Sequence, residues 1–169
     1  MSLIESELNR RLNLFQNAKQ IESQRPLRAQ DLTDLGIYGG KSGVWVNKST
    51  TERIDPVGIA VGLLHTGKHY DDDIDETGIL YHYPTTDRAG LRDSNEIVAI
   101  KNLKVYNLPV FIIKSEGNLR KIDLAWLDDF DDALRICVLT FHGLDSSKNS
   151  FRAEKQTEKI ELFGSHRKS

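Results

Sequence analysis

The chain opens with the hydrophobic pattern of helices. Apolar residues recur every three or four positions, namely at Ile4, Leu8, Leu12 and Phe15. This period predicts an amphipathic helix over residues 3–22, with Arg10 and Arg11 on its other faces. Pro26 breaks the pattern, and the residues that follow predict a short helical turn that ends near Gly36.

After this turn the pattern changes to short strands. Six runs rich in β-branched and aromatic residues are separated by Gly, Asn, Asp and Pro clusters. These runs cover residues 43–47, 58–65, 78–83, 96–100, 109–114 and 134–141. Residues 114–122 predict a hairpin with Gly117 and Asn118 at its turn. Short strands without long helices between them predict an α+β fold, a curled β-barrel flanked by the N-terminal helix and short helices.

Length and composition fit a single domain. The 169 residues divide into a helical segment (1–33) packed on the barrel, the barrel itself (34–142) and a polar C-terminal tail or linker (143–169). The sole cysteine, Cys137, lies in an apolar run and is expected to be a buried thiol. We find no signal-peptide pattern and no apolar run of membrane-spanning length, so we expect a cytoplasmic protein without membrane contact.

The negative charge of the chain is concentrated in one place. The formal net charge is −2, and five acidic residues stand together at Asp71, Asp72, Asp73, Asp75 and Glu76. The rest of the chain therefore carries a small positive charge, with basic residues spread through most of it. The low net charge does not exclude a basic face that binds nucleic acid.

A metal site is one interpretation of this acidic cluster. Alternating Asp71, Asp73 and Asp75 resemble calcium ligands, but Glu76 occupies the position where a calcium loop needs glycine. Zinc is no better supported, because two of the three nearby histidines flank a Thr-Gly turn rather than share a helix face. These three are His65, His69 and His82. We therefore expect no metal and no cofactor.

Catalysis by clustered carboxylates is a second interpretation. Neighbouring like charges raise the pKa of at least one aspartate, which could then act as a general acid or base. The chain contains no P-loop, GxSxG or HExxH motif to accompany such a group. A second acidic patch around Phe130, formed by Asp128, Asp129, Asp131 and Asp132, is expected to be a solvated turn. A metal-dependent nuclease or hydrolase that uses the first cluster stays open as an alternative.

Recognition of a planar polar ligand is a third interpretation. Tyr70 and Tyr83 bracket the acidic cluster and could hold an aromatic ring between them. A carboxylate in such a slot accepts hydrogen bonds from an exocyclic amine, as Asp or Glu does with N4 of cytosine. An extrahelical cytosine would need these groups. The competing interpretation places both tyrosines in the core and the aspartates in solvent.

The stretch HTGKHYDDDIDETGILYHYP (65–84) resembles the signature of SRA (YDG) domains, in which a Tyr and consecutive acidic residues lead through Gly to a second Tyr. The resemblance extends over about residues 34–142, and the surrounding segments are similar to SRA-type modules of bacterial modification-dependent restriction systems. It implies a PUA-like barrel that binds double-stranded DNA with 5-methylcytosine or 5-hydroxymethylcytosine and flips the modified base into a pocket. Lys68 and His69 replace the usual paired glycines, and Pro84 removes a backbone donor.

The resemblance also implies roles for individual residues. Tyr70 and Tyr83 would sandwich the base, and Asp73 would pair with the cytosine edge. The remaining candidate pocket residues are Thr66, Gly67 and Thr85. Basic residues in nearby loops are our candidates for phosphate contacts. They are Lys41, Lys48, Arg53, Lys68, Arg88 and Arg92.

The predicted function is therefore recognition without catalysis. The chain would be the specificity module of a modification-dependent restriction system, and an HNH-type nuclease would be a separate domain or subunit. A homodimer is left open. A PUA-like module that binds RNA or a nucleotide is a further alternative.

Overall fold

The computed structural model describes residues 2–39, 43–65, 74–83 and 92–141 of the chain. Within these ranges the fold is α+β. The helices are α1 (Leu3–Glu22), α2 (Ala29–Leu35), α3 (Lys48–Thr51) and α4 (Arg92–Val105). The strands are β1 (Leu27–Arg28), β2 (Val44–Val46), β3 (Ala60–His65), β4 (Gly78–His82), β5 (Val110–Glu116), β6 (Leu119–Asp131) and β7 (Ile136–Thr140).

The seven strands form one mixed sheet. Its order is β2-β3-β5-β6-β7-β4, and β1 pairs with β6 outside this path. The β3–β5 pair is parallel, and every other pair is antiparallel. No ladder joins β2 to β4 in the ranges that the structure describes, so the sheet there is open and the expectation of a closed barrel is corrected.

The long strand β6 connects two parts of the sheet. Its first half pairs with β5 around the predicted hairpin, where Gly117 adopts a positive φ of 60°. Its second half pairs with β7, and the register shifts between Leu127 and Asp129. Such a bulge bends a strand and increases its twist. Asp128, Asp129 and Asp131 therefore belong to a strand, and the prediction of a solvated turn is wrong for all three.

The strand predicted over residues 96–100 is a helix. Those residues lie in the middle of α4. Ile100 and Leu103 are buried in the main core beside strand residues, while Val98 is 39% exposed. The β-branched residues favour a strand locally, but burial at positions three and four apart is what a helix packed on a sheet requires.

Both faces of the sheet are covered. Along β5, Val110 and Ile112 join the core cluster that contains α4, whereas Phe111 and Ile113 join a second cluster with α1 and α2. This double burial explains why β5 reads as a continuous apolar run rather than an alternating one. Cys137 is fully buried in β7, as predicted.

The N-terminal segment is part of this sheet. Ser2 caps α1 by accepting a hydrogen bond from the Glu5 amide at 3.0 Å. α2 ends at Gly36, whose φ of 75° suits glycine. β1 then pairs with β6 through Leu27 and Arg120.

Arg11, which the sequence places on a face of α1 other than the apolar one, is fully buried. Its Nε donates to Glu7 Oε2 at 2.7 Å. Its Nη1 donates to the carbonyl oxygens of Ala60 and Pro109, each at 2.7 Å. Ala60 begins β3 and Pro109 directly precedes β5, so one guanidinium connects α1 to the N-terminal ends of both parallel strands.

In the described part of the chain, no helix has the length and apolar character needed to span a membrane.

We expect Arg11→Ala to lower the free energy of unfolding by about 3 to 5 kcal/mol, because two buried carbonyl groups lose their donor and the buried Glu7 carboxylate loses one of its two arginine partners. Urea denaturation measures this change. Arg10→Ala is the matched control: Arg10 also contacts Glu7 but is 31% exposed, and its loss should cost less than about 1 kcal/mol. Equal losses for the two variants would contradict the role of Arg11.

The same pair predicts a pH dependence of stability. Burial alone would raise the pKa of Glu7, but hydrogen bonds and charge from Arg10 and Arg11 outweigh it and hold this pKa below its ordinary value. The ionised carboxylate therefore stabilises the fold fully above the unfolded-state pKa of about 4.3. This contribution is lost as the pH falls through the lower, folded-state pKa.

We expect the stability difference between the wild type and Glu7→Gln to be constant from pH 7 to about pH 5 and to shrink below about pH 4. Thermal unfolding across this range provides the measurement. A difference that stays constant down to pH 3 would contradict the predicted linkage.

Candidate nucleic-acid interface

Most of the predicted base pocket lies outside the described residues. The residues concerned are Thr66, Gly67, Tyr70, Asp73 and Thr85, together with the basic candidates Lys41, Lys68 and Arg88. Arg92 begins α4, but its side chain is not described. Tyr83, Lys48 and Arg53 are therefore the predicted site residues whose side chains can be located.

The end of the acidic stretch forms a tight turn. Asp75 Oδ1 accepts hydrogen bonds from the Thr77 amide at 2.7 Å, from Thr77 Oγ1 at 2.6 Å and from the Gly78 amide at 3.2 Å. The Asp75 amide donates to the Gly78 carbonyl at 3.0 Å. Side-chain acceptance of this kind is typical of an aspartate that stabilises a turn. Asp75 therefore has a structural role in this turn, and the side chain of the adjacent Glu76 is exposed.

This turn leads into β4 with a defined register. Ile74 forms an isolated antiparallel bridge with Ile79 across the turn. β4 pairs along one edge with β7, from Gly78 opposite Thr140 to His82 opposite Ile136. Apart from the Ile74 bridge, the second edge of β4 has no strand partner among the described residues.

Tyr83 follows β4 and is buried. Its side chain is 4% exposed in the main core, and its amide donates to the Arg135 carbonyl at 2.9 Å. Its hydroxyl donates to Asp132 Oδ1 at 3.0 Å. Burial, with the Asp132 hydrogen bond, raises the pKa of Tyr83 far above its ordinary value. The hydroxyl is therefore a proton donor throughout the physiological pH range.

Asp132 joins Tyr83 to α4. Lys101 Nζ lies 2.9 Å from Asp132 Oδ2 and 4.8 Å from the centroid of the Phe130 ring. The hydrogen bonds from Lys101 and Tyr83 lower the pKa of Asp132. The carboxylate thus stays ionised at neutral pH and accepts from both partners. The guanidinium carbon of Arg135 lies over the Tyr83 ring, 5.8 Å from its centroid.

The sequence does not predict the hydrogen bonds that Asp132 forms with Tyr83 and Lys101. The sequence predicts that Asp132 lies in a solvated turn, and its side chain is 62% exposed. It lies 49 positions from Tyr83, so no local spacing connects the two. The antiparallel pairing of residues 78–82 with residues 136–140 is the signal that places Tyr83 beside the turn before β7.

The basic candidates that can be located share one exposed segment. Lys48 begins α3 and Arg53 follows it, and both side chains are exposed. α3 is connected to α1 by a hydrogen bond from Arg10 Nη2 to Thr50 Oγ1 at 3.3 Å. Both charges are thus at the surface, and their contact with phosphates stays a prediction.

The described residues also bear on metal binding. His65 ends β3 and His82 ends β4. Over residues 2–39, 43–65, 74–83 and 92–141, no three His, Cys, Asp or Glu side chains come together as a metal site would require. Asp71, Asp72 and Asp73 fall outside these ranges.

Comparisons with protein-family models, curated proteins and solved structures found no match to the chain. The resemblance to SRA domains therefore rests on the sequence motif, and it stays a prediction.

The geometry of the turn predicts how Asp75 responds to substitution. Asp75→Asn keeps the accepting oxygen and should change the free energy of unfolding by less than about 0.5 kcal/mol. Asp75→Ala removes the acceptor of three hydrogen bonds and should cost about 1 kcal/mol or more. Chemical denaturation compares the two variants. A large loss in Asp75→Asn would show that the charge of Asp75, rather than turn formation, is what matters.

Proposed function

We propose that this chain is a DNA-binding module that recognises modified cytosine, either 5-methylcytosine or 5-hydroxymethylcytosine, as a flipped base. In this proposal Tyr70 and Tyr83 hold the base and Asp73 accepts from its N4 amino group. The sequence motif over residues 65–84 supports the proposal. The proposal includes a PUA-like architecture, and the described residues form an α+β fold with an open mixed sheet flanked by helices.

The observation that carries the proposal is the register of the Ile74–Ile79 bridge. Tyr70 stands four positions before Ile74, and Tyr83 stands four positions after Ile79. An antiparallel pairing that continued in this register along the free edge of β4 would bring the two tyrosines opposite each other. Directly paired residues have Cβ atoms about 5 Å apart on the same face of a sheet. Two rings that begin so close could open to admit a base between them.

The chemistry of the proposed pocket suits a cytosine. Flipping costs a few kcal/mol of unpairing and unstacking, which stacking in the pocket must offset. Base–aromatic stacking contributes about 1 to 3 kcal/mol for each base. A carboxylate that accepts from N4 adds a charge-assisted hydrogen bond and rejects thymine, which presents a carbonyl at that position.

Stacking on Tyr83 requires one face of its ring to be uncovered. In the structure the ring is 4% exposed, with the Arg135 guanidinium over it. A base that stacked on this face of the ring would displace the guanidinium. We therefore expect Arg135 to move when the base enters.

Affinity in this proposal comes from phosphate contacts, which carry no sequence information. Lys48 and Arg53, on the exposed segment around α3, are the located candidates. Recognition needs no catalytic group in the chain itself. A nuclease of HNH type, as a separate domain or subunit, would supply cleavage in a modification-dependent restriction system.

Titration of matched duplexes tests the proposal. Wild-type protein should bind a duplex with 5-methylcytosine or 5-hydroxymethylcytosine at least about tenfold more tightly than the unmodified duplex, as measured by fluorescence anisotropy. Tyr83→Ala should lose this preference through lost stacking. Lys48→Ala should weaken binding to all duplexes alike and lower the salt dependence of affinity.

Other outcomes would identify the alternatives. Equal affinity for all three duplexes would contradict modified-base recognition. Cleavage of DNA that requires a divalent metal and is abolished by Asp73→Asn would favour the nuclease interpretation. Stronger competition by single-stranded RNA than by the modified duplex would favour an RNA-binding module.

A further inference from the structure

We propose that Asp132 is a positioning residue for base recognition, which fixes the Tyr83 ring in the orientation that stacks on the modified base. This inference rests on the proposed function of Tyr83 and adds a residue that does not itself touch the base.

The hydrogen bond from the Tyr83 hydroxyl fixes the far end of the side chain. Tyr83 is anchored at its backbone by the amide bond to the Arg135 carbonyl, and at its hydroxyl by Asp132 Oδ1 at 3.0 Å. Both anchors belong to the same turn between β6 and β7. A ring held at both ends keeps the direction of its long axis, whereas a ring held at one end can swing about χ1.

The turn that carries Asp132 is itself well defined. The Leu134 amide donates to Asp131 Oδ1 at 2.9 Å, and Arg135 adopts a positive φ of 56°. Lys101 of α4 holds the second oxygen of Asp132 at 2.9 Å. Lys101 Nζ also lies 2.9 Å from Oδ1, the oxygen that accepts from Tyr83. Rotation of the carboxylate away from Tyr83 would therefore disturb both contacts.

A stacking pocket depends on the angle between its rings, because an aromatic contact is lost when one plane tilts. Without this bond Tyr83 would still fill the core, but its hydroxyl end could shift, and the tilt of the ring toward a base would be less constant. Removal of the hydroxyl–carboxylate bond is therefore expected to reduce discrimination between modified and unmodified duplexes more than it reduces folding.

A second Tyr–Asp pair provides a matched control. Tyr106 donates to Asp55 Oδ2 at 2.9 Å, and it lies after α4 rather than after β4. Tyr106→Phe removes the same kind of hydrogen bond from the same fold. A general effect of losing such a bond would therefore affect Tyr83→Phe and Tyr106→Phe alike.

The experiment measures the ratio of affinities for the 5-methylcytosine duplex and the unmodified duplex in the full chain. Because partial unfolding lowers the active fraction equally for both duplexes, this ratio is insensitive to a purely structural defect. We expect Asp132→Ala and Tyr83→Phe to reduce the ratio by about the same factor, on the order of fivefold. The double variant should be no worse than either single variant, because both remove one interaction.

Two further variants sharpen the result. Asp132→Asn keeps an oxygen that can accept from the tyrosine and should recover most of the lost discrimination. Tyr106→Phe should leave the ratio at the wild-type value. Suppose that the wild type prefers the modified duplex and that Asp132→Ala and Tyr83→Phe have the same affinity ratio as the wild type. This result would overturn the role of Asp132 and leave the proposed function standing. A wild-type ratio of one would instead overturn the proposed function, and the positioning role with it.

Discussion

Arg11 donates from a single nitrogen to the carbonyl oxygens of Ala60 and Pro109, and the rest of the structure depends on this contact. These carbonyls stand at the beginnings of β3 and β5, the one parallel pair among the described strands. A buried guanidinium is costly unless its charge is compensated, and Glu7 supplies that compensation from the preceding turn of α1. The N-terminal helix thus fixes where two parallel strands begin.

A parallel pair imposes a long connection between its strands, because a short turn cannot return the chain to the same end of the sheet. Here the connection is residues 66–109, which contain most of the acidic and aromatic stretch, β4 and α4. The proposed base-binding residues are therefore part of the crossover itself. Tyr83 and Lys101 lie within it, and Asp132 reaches both from the turn before β7. Through Asp132, this arrangement connects Tyr83 both to α4 and to the turn before β7.

Local patterns predicted the helices and strands where one period dominates. The apolar spacing of α1, the strand runs of β3, β4, β5 and β7, and the Gly117 turn all agree with the structure. The strand prediction for residues 96–100 is wrong because β-branched side chains suit a strand locally, while packing against the sheet requires a helix. The extent of β6 was missed because its charged residues occupy a bulged strand, where polar positions break the alternation.

The candidate site was predictable only in part, because some of its contacts join residues that are far apart in the sequence. The motif over residues 65–84 identifies candidates that are neighbours in sequence, and it includes Tyr83. Arg11, Asp132 and Lys101 are charged residues, for which exposure is the ordinary expectation. Their roles come from partners 98, 49 and 31 positions away. Local sequence spacing does not predict contacts over such separations, so these contacts become evident only once the pairing of the strands is known.

Base flipping is the central claim, and it can be observed directly. A duplex that carries 2-aminopurine beside a 5-methylcytosine reports unstacking of the neighbouring base as a rise in fluorescence. At saturating protein, we expect this fluorescence to rise for the modified duplex and to stay unchanged for the unmodified one. Saturated binding of the modified duplex without any rise, or the same rise for both duplexes, would contradict recognition of a flipped modified cytosine.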